Sequence, residues 1–278
     1  MKKALLLLTV LIGLGCSNSE SEIENLSNVN SNRLAVNTRF HPSKFDFIGT
    51  QHNDIMLKLE KALVEGSTTP TEFQLYADKT IYNEVEGLYT NPDDLSLAKN
   101  LIYTNLHTKP LLEVTPAFGY NDDKRLSVQA KKYLNVLQNI MMEDDAELTH
   151  IVSNISSLEM DAYNDTKLSN EDLLVLFPAT SVAKHSIAYW NDHYDIWDSI
   201  LNDKDMHITT AKTKPGKAIA VVATADVGGA VSGALGAWAV NVWVGPGQAA
   251  YAAAIVSTAV SCSAAATIGF LAEAIFNW

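Results

Sequence analysis

The chain has 278 residues, a formal net charge of −12 at pH 7 and 47% hydrophobic residues. So acidic a composition lacks the basic footprint that phosphate contacts need, which excludes nucleic acid as a partner. With only two cysteines, Cys16 and Cys262, no disulfide framework can replace an apolar core.

At the N-terminus, Lys2 and Lys3 precede the apolar run Ala4–Gly15. That run is about 12 residues, short of the roughly 20 a membrane-spanning helix needs. It ends Ile12-Gly13-Leu14-Gly15-Cys16, which resembles a lipobox, with Gly13 where that pattern prefers Leu. Residues 1–15 are therefore expected to be a lipoprotein signal peptide, and Cys16 the lipidation site. Ser17 after the cysteine resembles lipoproteins sorted to the outer membrane of a two-membrane bacterium. Acyl chains on Cys16 would then anchor the protein to that membrane. Residues 16–44 read as a flexible tether, because the Ser-, Asn- and Glu-rich stretch that opens them cannot offset its ordering entropy by burial. Loss of Lys2 and Lys3 takes the formal charge from −12 to −14.

Residues 45–210 read as an all-α, bundle-like domain. His52–Glu65 places Ile55, Met56, Leu59, Ala62 and Leu63 on one helical face. Thr69, Pro70 and Glu72 form a helix start with a capping box. The helix that follows would turn Phe73, Tyr76, Ala77, Ile81, Val85 and Leu88 inward. Asp94–Leu106 carries another apolar stripe, and 111–123 is a loop. Leu126–Met142 and Ala146–Tyr163 are two further helices. Ser169 and Asp172 make a cap that opens a helix toward Phe177, which Pro178 is expected to kink or restart before Thr180–Leu201.

Residues 211–278 differ in kind. From Ala218 to Ala272 the only charged residue is Asp226. Gly245-Pro246-Gly247 divides the stretch into two arms, each long enough to cross a bilayer, so it reads as a helical hairpin. Ala225, Gly229, Gly233 and Ala237 recur every four residues, with Gly236 in an adjacent row. In the second arm Ala249, Ala253, Ser257, Ser261, Ala265 and Gly269 keep the same period. Such a glycine zipper lets helix backbones approach closely. The hairpin has three open readings: constitutive spanning, conditional insertion or self-assembly, and burial against the helical domain. Asp226 is either a gate that titrates or pairs with a cation, or a residue reaching solvent or a partner in the helical domain. Trp243 and Trp278 could anchor at an interface.

No catalytic constellation, cofactor motif or metal-ligand spacing stands out. His185, Asp192, His193, Asp195 and Asp198 crowd one segment, which reads as a solvated polar face. Cys262 lies among small residues without a basic partner.

Three features together resemble an uncharacterised family of bacterial exported proteins and lipoproteins. They are Phe45-Asp46-Phe47-Ile48-Gly49-Thr50-Gln51-His52-Asn53, Ser181-Val182-Ala183-Lys184-His185-Ser186-Ile187-Ala188-Tyr189-Trp190, and the C-terminal Ala/Gly hairpin. The resemblance implies organisation rather than activity. It directs attention to His52 and Asn53, as caps of the first helix, as ties between the N-terminal loop and that helix, or as binders of a small ligand. The expected function is that of a non-enzymatic interaction or assembly protein of the cell envelope. The alternative is a bacteriocin-like or pore-forming factor whose hairpin inserts into a membrane.

Overall fold

The structure, a computed structural model, describes residues 39–65, 70–86, 96, 99, 120, 123–143, 146–203, 215–239 and 248–276. Regular structure among them is helical. A 3-10 turn, Pro42–Lys44, leads into α1 (Asp46–Glu65), α2 (Pro70–Glu86), α3 (Val128–Met141), α4 (Leu148–Asn164), α5 (Asn170–Asp203), α6 (Pro215–Ala239) and α7 (Gln248–Phe276). The all-α class expected from periodicity is the class observed. The signal peptide, Cys16, the stripe expected over 94–106 apart from Ser96 and Lys99, and the turn at 245–247 lie outside the described residues.

The amphipathic helices bury the faces their spacing dictates. Ile48, Ile55, Met56, Leu59 and Ala62 of α1 are buried. Ser127 caps α3 by accepting the Ala130 N–H at 3.0 Å, and Ala130, Leu134, Leu137 and Met141 turn inward. On α2 the expected inner face holds at Ile81 but not at Tyr76, which is 39% exposed. Tyr76 instead lines an open groove between α1 and α2 with Lys58, Lys61 and Thr80. A phenol ring can rest its body on apolar surface and keep its hydroxyl in water.

Within the expected tether, residues 39–44 lie against the helical domain. The Arg39 guanidinium donates to the carbonyls of Ala162 (2.9 Å), Asp165 (2.6 Å), Leu168 (3.0 Å) and Tyr163. These carbonyls belong to the last turn of α4 and the loop after it, where a helix leaves acceptors without intrahelical donors. One arginine therefore closes the end of α4.

Helix α5 starts as its sequence announces. Ser169 Oγ accepts the Asp172 N–H at 3.1 Å, and Asp172 Oδ2 accepts the Ser169 N–H at 3.0 Å. The second oxygen of Asp172 accepts the Ser127 N–H at 3.1 Å, which ties together the starts of α3 and α5. Pro178 does not end or restart the helix: α5 runs for 34 residues through it. A proline has no N–H to give to the carbonyl four residues back. Here that carbonyl, on Leu174, accepts the Tyr251 hydroxyl from α7. A donor supplied from another helix lets the helix continue.

Helix α5 packs on α1, α3, α4 and α6, while α6 and α7 pack on each other and α7 also lies against α1 and α2. The hairpin is no appendage: one buried cluster runs from Phe45 through Phe177 and Trp190 to Val227, Ile255 and Ala266. Two small-residue positions fix its spacing. A Cβ on Gly229 would stand 2.6 Å from the Thr258 carbonyl oxygen, and one on Gly233 would stand 2.8 Å from that of Ala254. These are backbone atoms that cannot step aside, so glycine is what permits this approach.

Candidate functional site

Asp226 sits on α6 with none of its surface exposed. A bare carboxylate in such a place carries a desolvation cost of several kcal/mol, so its partners decide whether it is tolerated. They come from three other helices. Ser186 Oγ and Trp190 Nε1, one turn apart on α5, donate to Oδ2 at 2.5 and 3.1 Å. His52 Nε2, on α1, lies 3.5 Å from the same oxygen, and it too is fully buried. Burial opposes the charge on Asp226, whereas His52, Ser186, Ser263 from α7 and Trp190 favour it.

His52 is itself held. Its Nδ1 lies 3.0 Å from Asn53 Oδ1, and Asn53 Nδ2 donates to the His185 carbonyl at 2.9 Å. The contact with Asn53 fixes the ring so that Nε2 faces Asp226. The backbone geometry that allows this lies one turn earlier. Gly49 N–H donates to Ser181 Oγ at 3.1 Å, and a Cβ on Gly49 would stand 2.5 Å from the His185 ring. Thus α1 and α5 approach closely at Gly49, and His52 and Asn53 project into the seam between them.

Two satellite clusters border this centre. Lys184 Nζ pairs with Glu159 at 2.9 Å and Asp46 at 3.1 Å. Burial alone would lower the Lys184 ammonium, but its bonds to the two carboxylates outweigh that and hold its pKa above the usual value. Its neighbour His185 is pushed below the ordinary imidazole range by burial, and next by the Lys184 charge. Further along α5, the Tyr189 hydroxyl donates to Glu60 Oε2 at 3.0 Å and accepts from Trp197 Nε1 at 2.8 Å. His193 Nδ1 meets the same Glu60 oxygen at 2.7 Å, its ring stacked on Tyr189 with centroids 4.4 Å apart. Burial raises the Tyr189 phenol far above its usual range, so it acts as a donor.

The residues singled out from sequence are distributed as follows. His52, Asn53 and Asp226 come together in one cluster, although 174 positions separate His52 from Asp226. His52 and Asn53 do not cap α1, which begins at Asp46, nor do they tie the preceding loop to it; they join α1 to α5 and α6. Asp226 reaches partners rather than solvent. Gly229 and Gly233 line the α6–α7 contact, whereas Gly236 is partly exposed. Ser257 and Ser261 are buried, and their hydroxyls bond carbonyls of their own helix at 3.1 and 2.6 Å. The α7 backbone facing the glycines is that of Ala254, Ile255, Thr258 and Ala259, the row beside the expected one. Gly269 belongs to α7. Cys262 is buried on α7.

Ser186, Trp190, Ser263 and Tyr251 escaped the sequence reading. Only the first two left a trace, a four-residue spacing inside the 181–190 motif. Among the described residues no three His, Cys, Asp or Glu side chains converge as a metal site. The cluster is closed to solvent at both ionisable members, so what it can do is hold helices and respond to loss of a partner. Comparisons with protein-family models, curated proteins and solved structures returned no match.

Proposed function

We propose that the chain is a lipid-anchored protein of the bacterial envelope, held at the outer membrane through Cys16, which acts by interaction or assembly rather than catalysis. The supporting observation is where the apolar hairpin lies. Ile219–Ala237, of mean hydropathy 1.5, has 72% of its apolar window buried inside the domain. A segment packed away in this manner is not acting as an anchor, which leaves anchoring to acyl chains on Cys16. The test replaces residues 1–15 by a non-lipoprotein secretion signal and introduces Cys16→Ser. The variant should leave the membrane fraction while the unaltered protein stays. A variant that resists carbonate extraction would identify the hairpin as the anchor and overturn the reading.

A second reading, a pore-forming or bacteriocin-like factor whose hairpin transfers to a bilayer, draws on one observation. Helices α6 and α7 run 25 and 29 residues with hardly a polar face between them. A helix apolar on all sides suits a protein core or a membrane. Vesicles loaded with dye discriminate: dye retained both near neutral pH and at lower pH sinks this reading.

A further inference from the structure

The hairpin's contacts divide into two kinds. Some stay within it: the Gly229 and Gly233 approaches to α7, and the support Ser263 gives Asp226. Others cross to the rest of the domain at the same carboxylate. His52 reaches it from α1 and Ser186 and Trp190 from α5, at 3.5, 2.5 and 3.1 Å. Two more bonds cross at backbone carbonyls, from Tyr251 to Leu174 and from Arg125, just ahead of α3, to Leu235. Around these bonds lie apolar side chains such as Val222, Val227 and Val231, and apolar contacts can be exchanged for lipid at little cost. A hydrogen-bonded carboxyl cannot be exchanged so freely, because lipid offers it no partners.

We propose that His52, Ser186 and Trp190 form a latch on Asp226 that keeps hairpin α6–α7 inside the domain, and that opening it releases the hairpin as an intact unit into a lipid bilayer. This rests on the second reading above and supplies its control point. The latch lies between elements: its His52 arm opens when α1 moves off α5, and its Ser186 and Trp190 arms follow as α6 leaves α5. The Gly49 seam, which places His52 over Asp226, sets the distance between α1 and α5. The hairpin needs no internal rearrangement to leave, because its close-packed glycine contacts travel with it.

The processed full-length protein is mixed with dye-loaded vesicles of phosphatidylethanolamine and phosphatidylglycerol. His52→Gln removes the α1 arm of the latch while leaving the hairpin's own sequence unchanged; Asp226→Asn weakens the latch and also replaces the ionisable carboxyl by a neutral amide. Both should release dye roughly tenfold or more faster than the unaltered protein, with cooperative melting retained. Faster release by Asp226→Asn alone, or equal rates for all three, overturns the latch but leaves hairpin insertion standing. No release by any of the three overturns insertion itself. If a substitution prevents folding, hydrogen exchange of the unaltered protein on vesicles decides. Amides of α1 should lose protection while those of α6 and α7 keep it, and α1 amides that stay protected during dye release overturn the latch.

Discussion

The Tyr251 hydroxyl occupies the bonding position that the missing amide of Pro178 leaves open at the Leu174 carbonyl. Removing this hydroxyl strands a buried acceptor, whose penalty is about 1–3 kcal/mol. Tyr251→Phe should therefore lower the unfolding free energy by that amount. In a Pro178→Ala background the restored amide serves the same carbonyl, and the Tyr251→Phe penalty should shrink. Urea unfolding of the four proteins in this cycle measures the coupling; strict additivity would show that the two residues act independently.

Gly229→Ala and Gly233→Ala should each destabilise the protein by several times the roughly 1 kcal/mol that a glycine-to-alanine change gains within a helix. The added methyl meets α7 backbone at 2.6–2.8 Å. Thermal melts suffice as the readout. An unchanged or raised melting temperature at either position would mean that α6 and α7 are not packed in this register.

At Gly49 the obstruction is of another type. The nearest atoms are the His185 ring at 2.5 Å and the Ser181 carbonyl at 2.6 Å. Gly49→Ala should thus spread α1 from α5 and move His52 away from Asp226. The expected signature is a lower melting temperature together with a changed fluorescence of Trp190, whose indole N–H bonds Asp226. Loss of stability with unchanged tryptophan emission would separate the seam from the cluster.

His185 governs an acid limb of stability. Its pKa in the fold is lowered by burial and then by Lys184, against a weaker opposing pull from Asp46. The fold accordingly binds fewer protons here than the unfolded chain. Its contribution is whole above about pH 6.5 and is lost as pH falls through the depressed value. Urea midpoints taken from pH 8 to pH 5 should decline, and His185→Gln should flatten part of that decline. A steeper decline in the variant would contradict the sign.

One chemical exclusion bears on the membrane anchor. The Cys16 thiol can carry a lipid thioether or a bridge to Cys262, the only other cysteine, but not both. Intact mass of the processed protein should show an acyl addition that survives reductant. A reductant-labile link between the two cysteines would overturn the lipid-anchor proposal.

Much of the helical framework is legible from residue spacing, and the reason is local. The Ser169–Asp172 box, the inner face of α1 and the small-residue period of α6 involve residues no more than a few turns apart. What escaped depends on partners distant in the chain. Pro178 reads as a break because the donor that repairs its helix is Tyr251, 77 residues along the chain from Leu174. Tyr76 reads as core because its spacing says nothing of the open groove it borders. Asp226 stands out as a lone charge, but charge patterning cannot tell that Ser186, Trp190 and His52 converge on it. The α7 row that faces Gly229 was misjudged because Ala, Ser and Thr leave several stripes of nearly equal size, and rotation about the helix axis is then settled by α1 and α2 packing from outside.

The place of α6 and α7 in the chain has a further consequence. Helices α6 and α7 are made after those helices of α1 to α5 on which they pack. Until they arrive, α1 and α5 can close on each other at Gly49, but His52, Ser186 and Trp190 lack the Asp226 carboxyl and the acceptor on Leu174 has no donor. Completion of the core is thus deferred until α7 is made, and a chain cut short before residue 215 should be degraded rather than accumulate as a smaller domain.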